Sequence, residues 1–209
     1  DPLGTTMALL SPTPTPFAPL ELTVATAPRT EVQMAVDATA LRWDRVAIDL
    51  DEVTGISYAA RPRRHWGVVR RVTRTIRLWT GDGAPFGIEL QGGTLAHSLE
   101  ASQLAAYGAI TSALYAATEP RLRSELLRRM AAGDTVQLGH WHLNDRGLHD
   151  TTGLSISWEH LPTAVLDGES VVITHRIECG RVERRNLSML TPNAVLLPEL
   201  LDEAAIVFA

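Results

Sequence analysis

At 209 residues, with 45% hydrophobic and 21% charged side chains, the chain has the composition of an ordinary folded protein and enough length for one large core or two of about 100 residues each. A formal net charge of −5 argues against bulk nucleic-acid binding, which draws on a basic domain. No apolar run approaches the roughly 18–20 residues needed to cross a bilayer, and residues 1–20 lack the basic start and apolar centre of a secretory leader, so the sequence predicts a cytoplasmic protein without an integral membrane segment.

In chain order, residues 11–19 carry four prolines and predict a disordered or extended lead-in over residues 1–20, within which Met7 is a candidate native start. From Leu20 the pattern has period two. Val32, Met34 and Val36 share one parity, then Val46, Ile48 and Leu50, then Phe86, Ile88 and Leu90, as half-buried antiparallel strands require. A strand over about residues 68–79 would put Arg71, Thr73, Thr75 and Arg77 on one face. Gly81-Asp82-Gly83-Ala84-Pro85 is a turn, and Gly92-Gly93 ends the last of these strands.

The period then changes. From Ser98, a candidate N-cap, Leu99, Ser102, Ala106, Ile110, Ala113 and Leu114 recur at helical spacing to about Thr118. Thr118-Glu119-Pro120 predicts the restart of a separate helix, because proline suits a first turn and not an interior; Leu122, Leu126, Leu127 and Met130 line it and Gly133 stops it. Further strands are expected over residues 136–143, 154–158, 171–177 and 182–190, with turns at 144–147, 167–168 and 179–180. Thr191-Pro192-Asn193 caps a C-terminal helix lined by Leu196, Leu197, Leu200 and Leu201, which Pro198 should kink or divide.

A weak internal repeat runs through this pattern. Residues 46–53 align with 154–161, and Val32-Gln33-Met34 with Val136-Gln137-Leu138, which suggests tandem small binding domains. A run of antiparallel strands closed by one amphipathic helix, occurring twice, resembles the pleckstrin-homology-like (PH-like) superfold, in particular the PH-like domains of uncharacterised bacterial proteins. The residues carrying the resemblance are 46–53 and the helix from Ser98 in the first half. In the second half they are 139–147, 154–161, the Asp167-Gly168 hairpin and Thr191-Pro192-Asn193 leading into Leu196, Leu197, Leu200 and Leu201.

The resemblance implies an α+β protein of two antiparallel sheet or barrel units, each closed by a C-terminal helix. Its boundaries would be a lead-in over 1–20, a first PH-like domain over 21–118, a bridging helix over 119–133 and a second PH-like domain over 134–209. It also implies a binding platform without chemistry of its own, and the fold does not choose among lipids, peptides and proteins as ligands.

The sharpest local anomaly is chemical. Arg61, Arg63, Arg64, Arg70, Arg71, Arg74 and Arg77 lie between residues 61 and 77 with no acid among them, together with Trp66. The rest of the chain holds 12 arginines against 24 carboxylates, about −12 in formal charge against +7 here. Arginine offers a rigid donor fork to phosphate or carboxylate, and an exposed Trp66 could stack or sit at a membrane interface. The readings are an anion-binding site, pairing with acids of the same chain or a second copy, and a solvated face. All 19 basic residues are arginine, a bias that GC-rich bacterial coding produces and that says nothing of function.

Elsewhere the default readings are structural. His140 and His142 would share one side of a strand, which is too few ligands for a metal site. Asp49, Asp51 and Glu52 read as a solvated face, Cys179 as a structural thiol, Trp158 as core and Trp66 as exposed. The expectation is a bacterial, cytoplasmic, non-enzymatic binding or scaffolding module that needs no cofactor and has a protein partner or homo-oligomer as its ligand. One alternative is a peripheral binder of an anionic lipid headgroup or nucleic acid through the arginine-rich segment. Another is an enzyme with a pocket between two sheets, on a lipocalin-like or hot-dog-like scaffold.

Overall fold

The alternation beginning at Leu20 folds into a four-stranded antiparallel meander: β1 (Leu20–Ala27), β2 (Thr30–Val36), β3 (Ala40–Trp43) and β4 (Val46–Asp49), neighbours in that order. Val24, Met34, Val36, Leu41 and Ile48 are its buried positions. A three-stranded meander follows, β5 (Val53–His65), β6 (Val68–Thr80) and β7 (Phe86–Gly93), and then one helix, α1 (His97–Ala131).

The same succession recurs in smaller form. Strands β8 (Val136–Leu138), β9 (Trp141–Asn144), β10 (Gly147–Asp150) and β11 (Ser155–Ser157) make a second four-stranded sheet. Strands β12 (Thr163–Asp167), β13 (Ser170–Arg176) and β14 (Val182–Ser188) make a second three-stranded one, and the chain ends in α2 (Leu197–Phe208). The computed structural model describes residues 19–27, 30–66, 68–81, 83–93, 97–160, 162–176 and 181–209. Among them the strands form four open antiparallel sheets and no closed barrel, so the protein is a mixed α and β fold dominated by sheet. No helix among the described residues is long and apolar enough to cross a membrane. The predicted lead-in up to residue 18, Asp82 of the glycine turn and the 179–180 turn with Cys179 lie outside the described residues.

One correction concerns the centre of the chain. The break predicted at Pro120 does not occur: α1 is continuous for 35 residues with Pro120 inside it. An interior proline costs a helix about 3 kcal/mol through a lost hydrogen bond and a steric clash. Here packing on both sides of it outweighs that cost. Ile110 and Leu114 are buried before it, and Leu122, Leu126 and Met130 after it. From the very next residue, the Arg121 guanidinium donates to the carbonyls of Leu50, at 2.9 Å, and Val53, at 2.6 Å. The helix packs on β1, β2, β5 and β7 of the first half and on β8 and β9 of the second.

A second correction is the strand predicted over 136–143, which is a hairpin. Gly139 takes φ 64°, a left-handed conformation that favours glycine, and turns β8 back onto β9 with Leu138 opposite Trp141. The change of parity from Val136 and Leu138 to Trp141 and Leu143 is the sequence trace of that turn. It also moves His140 into the turn while His142 stays in β9, so the two imidazoles do not share one strand face. Strands β10 and β12 carry little alternation and have no counterpart in the sequence reading.

The internal repeat is half structural. The aligned segments 46–53 and 154–161 do contain the fourth strand of each half, β4 and β11. The pair 32–34 and 136–138 sets the second strand of the first half against the first strand of the second. The predicted C-terminal helix is in two parts, a 3-10 turn over Ala194–Leu196 and α2, and Pro198 sits in the first turn of α2, where a proline is tolerated, rather than at a break inside it. The buried apolar side chains of both halves form one contiguous cluster, in which Trp141 and Trp158 are among the largest fully buried.

Candidate anion-binding cleft

The site rests on the alternation of β6. Its even positions Arg74, Ile76 and Leu78 are buried, whereas Arg71, Thr73 and Arg77 are less enclosed and share the opposite face with Thr75. In register, Thr73 stands between Arg61 of β5 and Gln91 of β7, and Thr75 opposite Glu89. The three strands thus bring Arg61, Arg71, Thr73, Thr75, Arg77, Glu89 and Gln91 around one cleft of about 180 Å³, closed on one side by Leu190 from the second half. Gly87, opposite Arg77 in register, has nothing within 4 Å of where a Cβ would stand.

The cleft is cationic. Three guanidinium groups face one carboxylate, Glu89, and two threonine hydroxyls and the Gln91 amide supply neutral hydrogen-bonding groups beside them. A second carboxylate reaches the rim from the other half of the chain: Glu169, just after the tight Asp167-Gly168 turn, lies with Oε2 3.3 Å from Arg61 Nε. Both partners of that pair are half exposed, so water screens it and it holds Arg61 only weakly.

The predicted arginine set therefore divides. Arg61, Arg71 and Arg77 come together. Arg74 is on the other face, only 6% exposed, and lies near Tyr107 of α1. Burial pushes the Tyr107 hydroxyl up to about 12, and the Arg74 guanidinium pulls it the other way. The side chains of Arg63, Arg64 and Arg70 lie outside the described residues; their backbones belong to the part of the β5–β6 hairpin at and beyond the end of β7. At the tip of that hairpin Trp66 is 89% exposed with φ 52°, and Val68 beside it is also exposed. Trp66 is thus on the surface and Trp158 in the core, as the sequence reading has them.

The Asp49 carboxylate accepts the Asp51 N–H at 2.8 Å, closing the turn after β4, and both residues are exposed. Among the described residues no group of three or more His, Cys, Asp or Glu side chains is placed to hold a metal ion. Glu169 and Leu190 had no local signal in the sequence, because they reach the cleft from about 100 residues away through the docking of the two halves. No model of a known protein family matches this chain, and no curated protein matches it.

Proposed function

We propose that the protein is a non-enzymatic binding module that recognises an acidic segment of a partner protein through the Arg61–Arg71–Arg77 cleft, on a frame of two PH-like units. The frame reading is supported by the succession of four strands, three strands and a helix, which occurs twice. The observation carrying the ligand reading is Glu169. A carboxylate presented on a tight turn of this chain already sits against Arg61, which is the geometry an acidic peptide would adopt on the side of the cleft where Arg71 and Arg77 have no ion pair among the described residues. A cleft of about 180 Å³ suits one or two carboxylate side chains better than a large organic ligand.

Fluorescence anisotropy with a labelled glutamate-rich decapeptide tests this. Wild type should bind, and binding should weaken as salt rises through the range where the screening length falls below about 8 Å. Replacing Arg71 and Arg77 together by glutamine should weaken binding by about tenfold or more, since each charge-assisted hydrogen bond contributes about 1.5–3 kcal/mol. Glu169→Gln releases Arg61 and should strengthen binding severalfold. Affinity unchanged in the double variant would overturn the reading. Vesicles of anionic lipid and single-stranded RNA, run in parallel, would replace the acidic peptide as the ligand class if they alone bound and lost binding in the same variant.

A further inference from the structure

Away from the arginine cleft, α1 and α2 meet over a buried charged cluster. Glu119, about two-thirds of the way along α1, is 1% exposed, and among the described residues no hydrogen bond of normal geometry reaches either of its carboxylate oxygens. From β5 it faces Tyr58, whose buried hydroxyl also has no hydrogen-bond partner among the described residues. From α1 it faces Tyr115 and Arg123, and from α2 Glu199 and, through Arg123, Glu203. The Tyr115 hydroxyl donates to Glu199 Oε1 at 2.6 Å.

One guanidinium serves three carboxylates here. Arg123 lies 3.2 Å from Glu203 and 3.5 Å from Glu199, but 4.0 Å from Glu119. Glu199 and Glu203 are also partly open to water, while Glu119 is not. Of the three, Glu119 is the worst placed to carry charge. Burial first, and then the Glu199 charge, push its carboxyl up to about 8, with Arg123 pulling the other way.

We propose that Glu119 is a protonation switch in the seam between α1 and α2: neutral Glu119 lets the C-terminal helix sit against α1, and its ionisation loosens that seam as the solution becomes alkaline. The sign follows from proton linkage. A carboxyl that holds its proton more tightly in the folded seam than in free solution adds stability that is complete at pH values below its free range. That stability then falls as the pH climbs to about 8 and changes no further above it. Within this window one extra proton is held by the closed form, so each pH unit lowers the closed-to-open ratio by up to about tenfold.

The experiment is amide hydrogen exchange of the full chain, corrected for intrinsic rate, together with denaturant unfolding, at steps from pH 5.5 to pH 9. Wild type should lose protection in α2 and lose stability as pH rises. Glu119→Gln keeps the shape and removes the charge, so its profile should be flat and its α2 better protected than wild type at pH 9. If that variant fails to fold, Glu199→Gln serves instead: it removes a neighbouring negative charge that pushes the Glu119 carboxyl up, so the loss of stability should level off at a lower pH than in wild type. A flat wild-type profile overturns the switch, as does a glutamine variant whose profile runs parallel to wild type.

Discussion

Asn193→Ala is expected to destabilise the protein by about 3 kcal/mol, through one buried and one part-buried backbone group left without the Asn193 side chain and a left-handed residue without its usual side chain. Asn193 is 7% exposed and takes φ 62° just ahead of the 3-10 turn. Its Oδ1 accepts the Ile56 N–H at 3.0 Å, and its Nδ2 donates to the Thr54 carbonyl at 3.1 Å. Its own N–H donates to the Ile56 carbonyl at 2.8 Å. The β5–β6 register shifts between Val53 and Gly55, so Thr54 is out of step with the ladder there, and the Asn193 amide takes up its carbonyl. Asn193→Gly keeps the backbone bond and the left-handed conformation but loses both side-chain bonds, so it should fall between wild type and alanine. Urea unfolding midpoints at constant m-value measure the series. An alanine variant within about 0.5 kcal/mol of wild type, the range of ordinary surface substitutions, would show that this clamp between the halves contributes nothing.

The second large effect is expected at Gly147, the first residue of β10. Its φ is 150°, and a Cβ built there would collide with the Ile156 carbonyl oxygen and lie 3.0 Å from the Ile156 carbonyl carbon and 3.1 Å from the Ser157 Cα. These are backbone atoms of β11, which cannot swing aside as a side chain can. Gly147→Ala must therefore push β11 from β10 or twist the strand, and the Trp158 indole, which donates to the Asn144 carbonyl at 3.0 Å, stands directly beyond. The combined strain should cost about 3 kcal/mol. Gly168→Ala supplies the contrast: its φ is 59° but nothing lies within 4 Å of the added carbon, so only the conformational cost of about 1–2 kcal/mol is expected. Equal losses in the two variants would show that close approach at Gly147 is not what requires glycine.

Long strands with one buried face were legible because their apolar residues alternate. Ile88 and Leu90 in β7, and Val32, Met34 and Val36 in β2, fall inside elements that the structure contains. The C-terminal helix was equally visible from its leucines. Short strands such as β10 and β12 were not, because four or five residues without regular alternation give no period to read. The helix break at Pro120 was misjudged for the opposite reason: the local signal was strong, and contacts with residues 50 and 53, far away in sequence, overrode it. The site divided in the same way. Arg71, Thr73, Thr75 and Arg77 were placed on one face by counting along β6, whereas no counting along the chain could bring Glu169 and Leu190 to that face.

The unbroken central helix also makes the distance between the halves a matter of phase. At 1.5 Å and 100° per residue, 35 residues form a rod of about 50 Å, in which every position sets the rotation of everything after it. A single residue inserted near Ala116 would turn the second half by about 100° about that axis. Asn193 would then miss β5, and Glu199 would miss Tyr115. Seven inserted residues would restore the facing to within about 20° while moving it along the axis by about 10 Å. Two chain segments that could drift apart in composition are therefore locked to an integer: the number of residues between Ile110 and Met130 is as much a part of this fold as their identity.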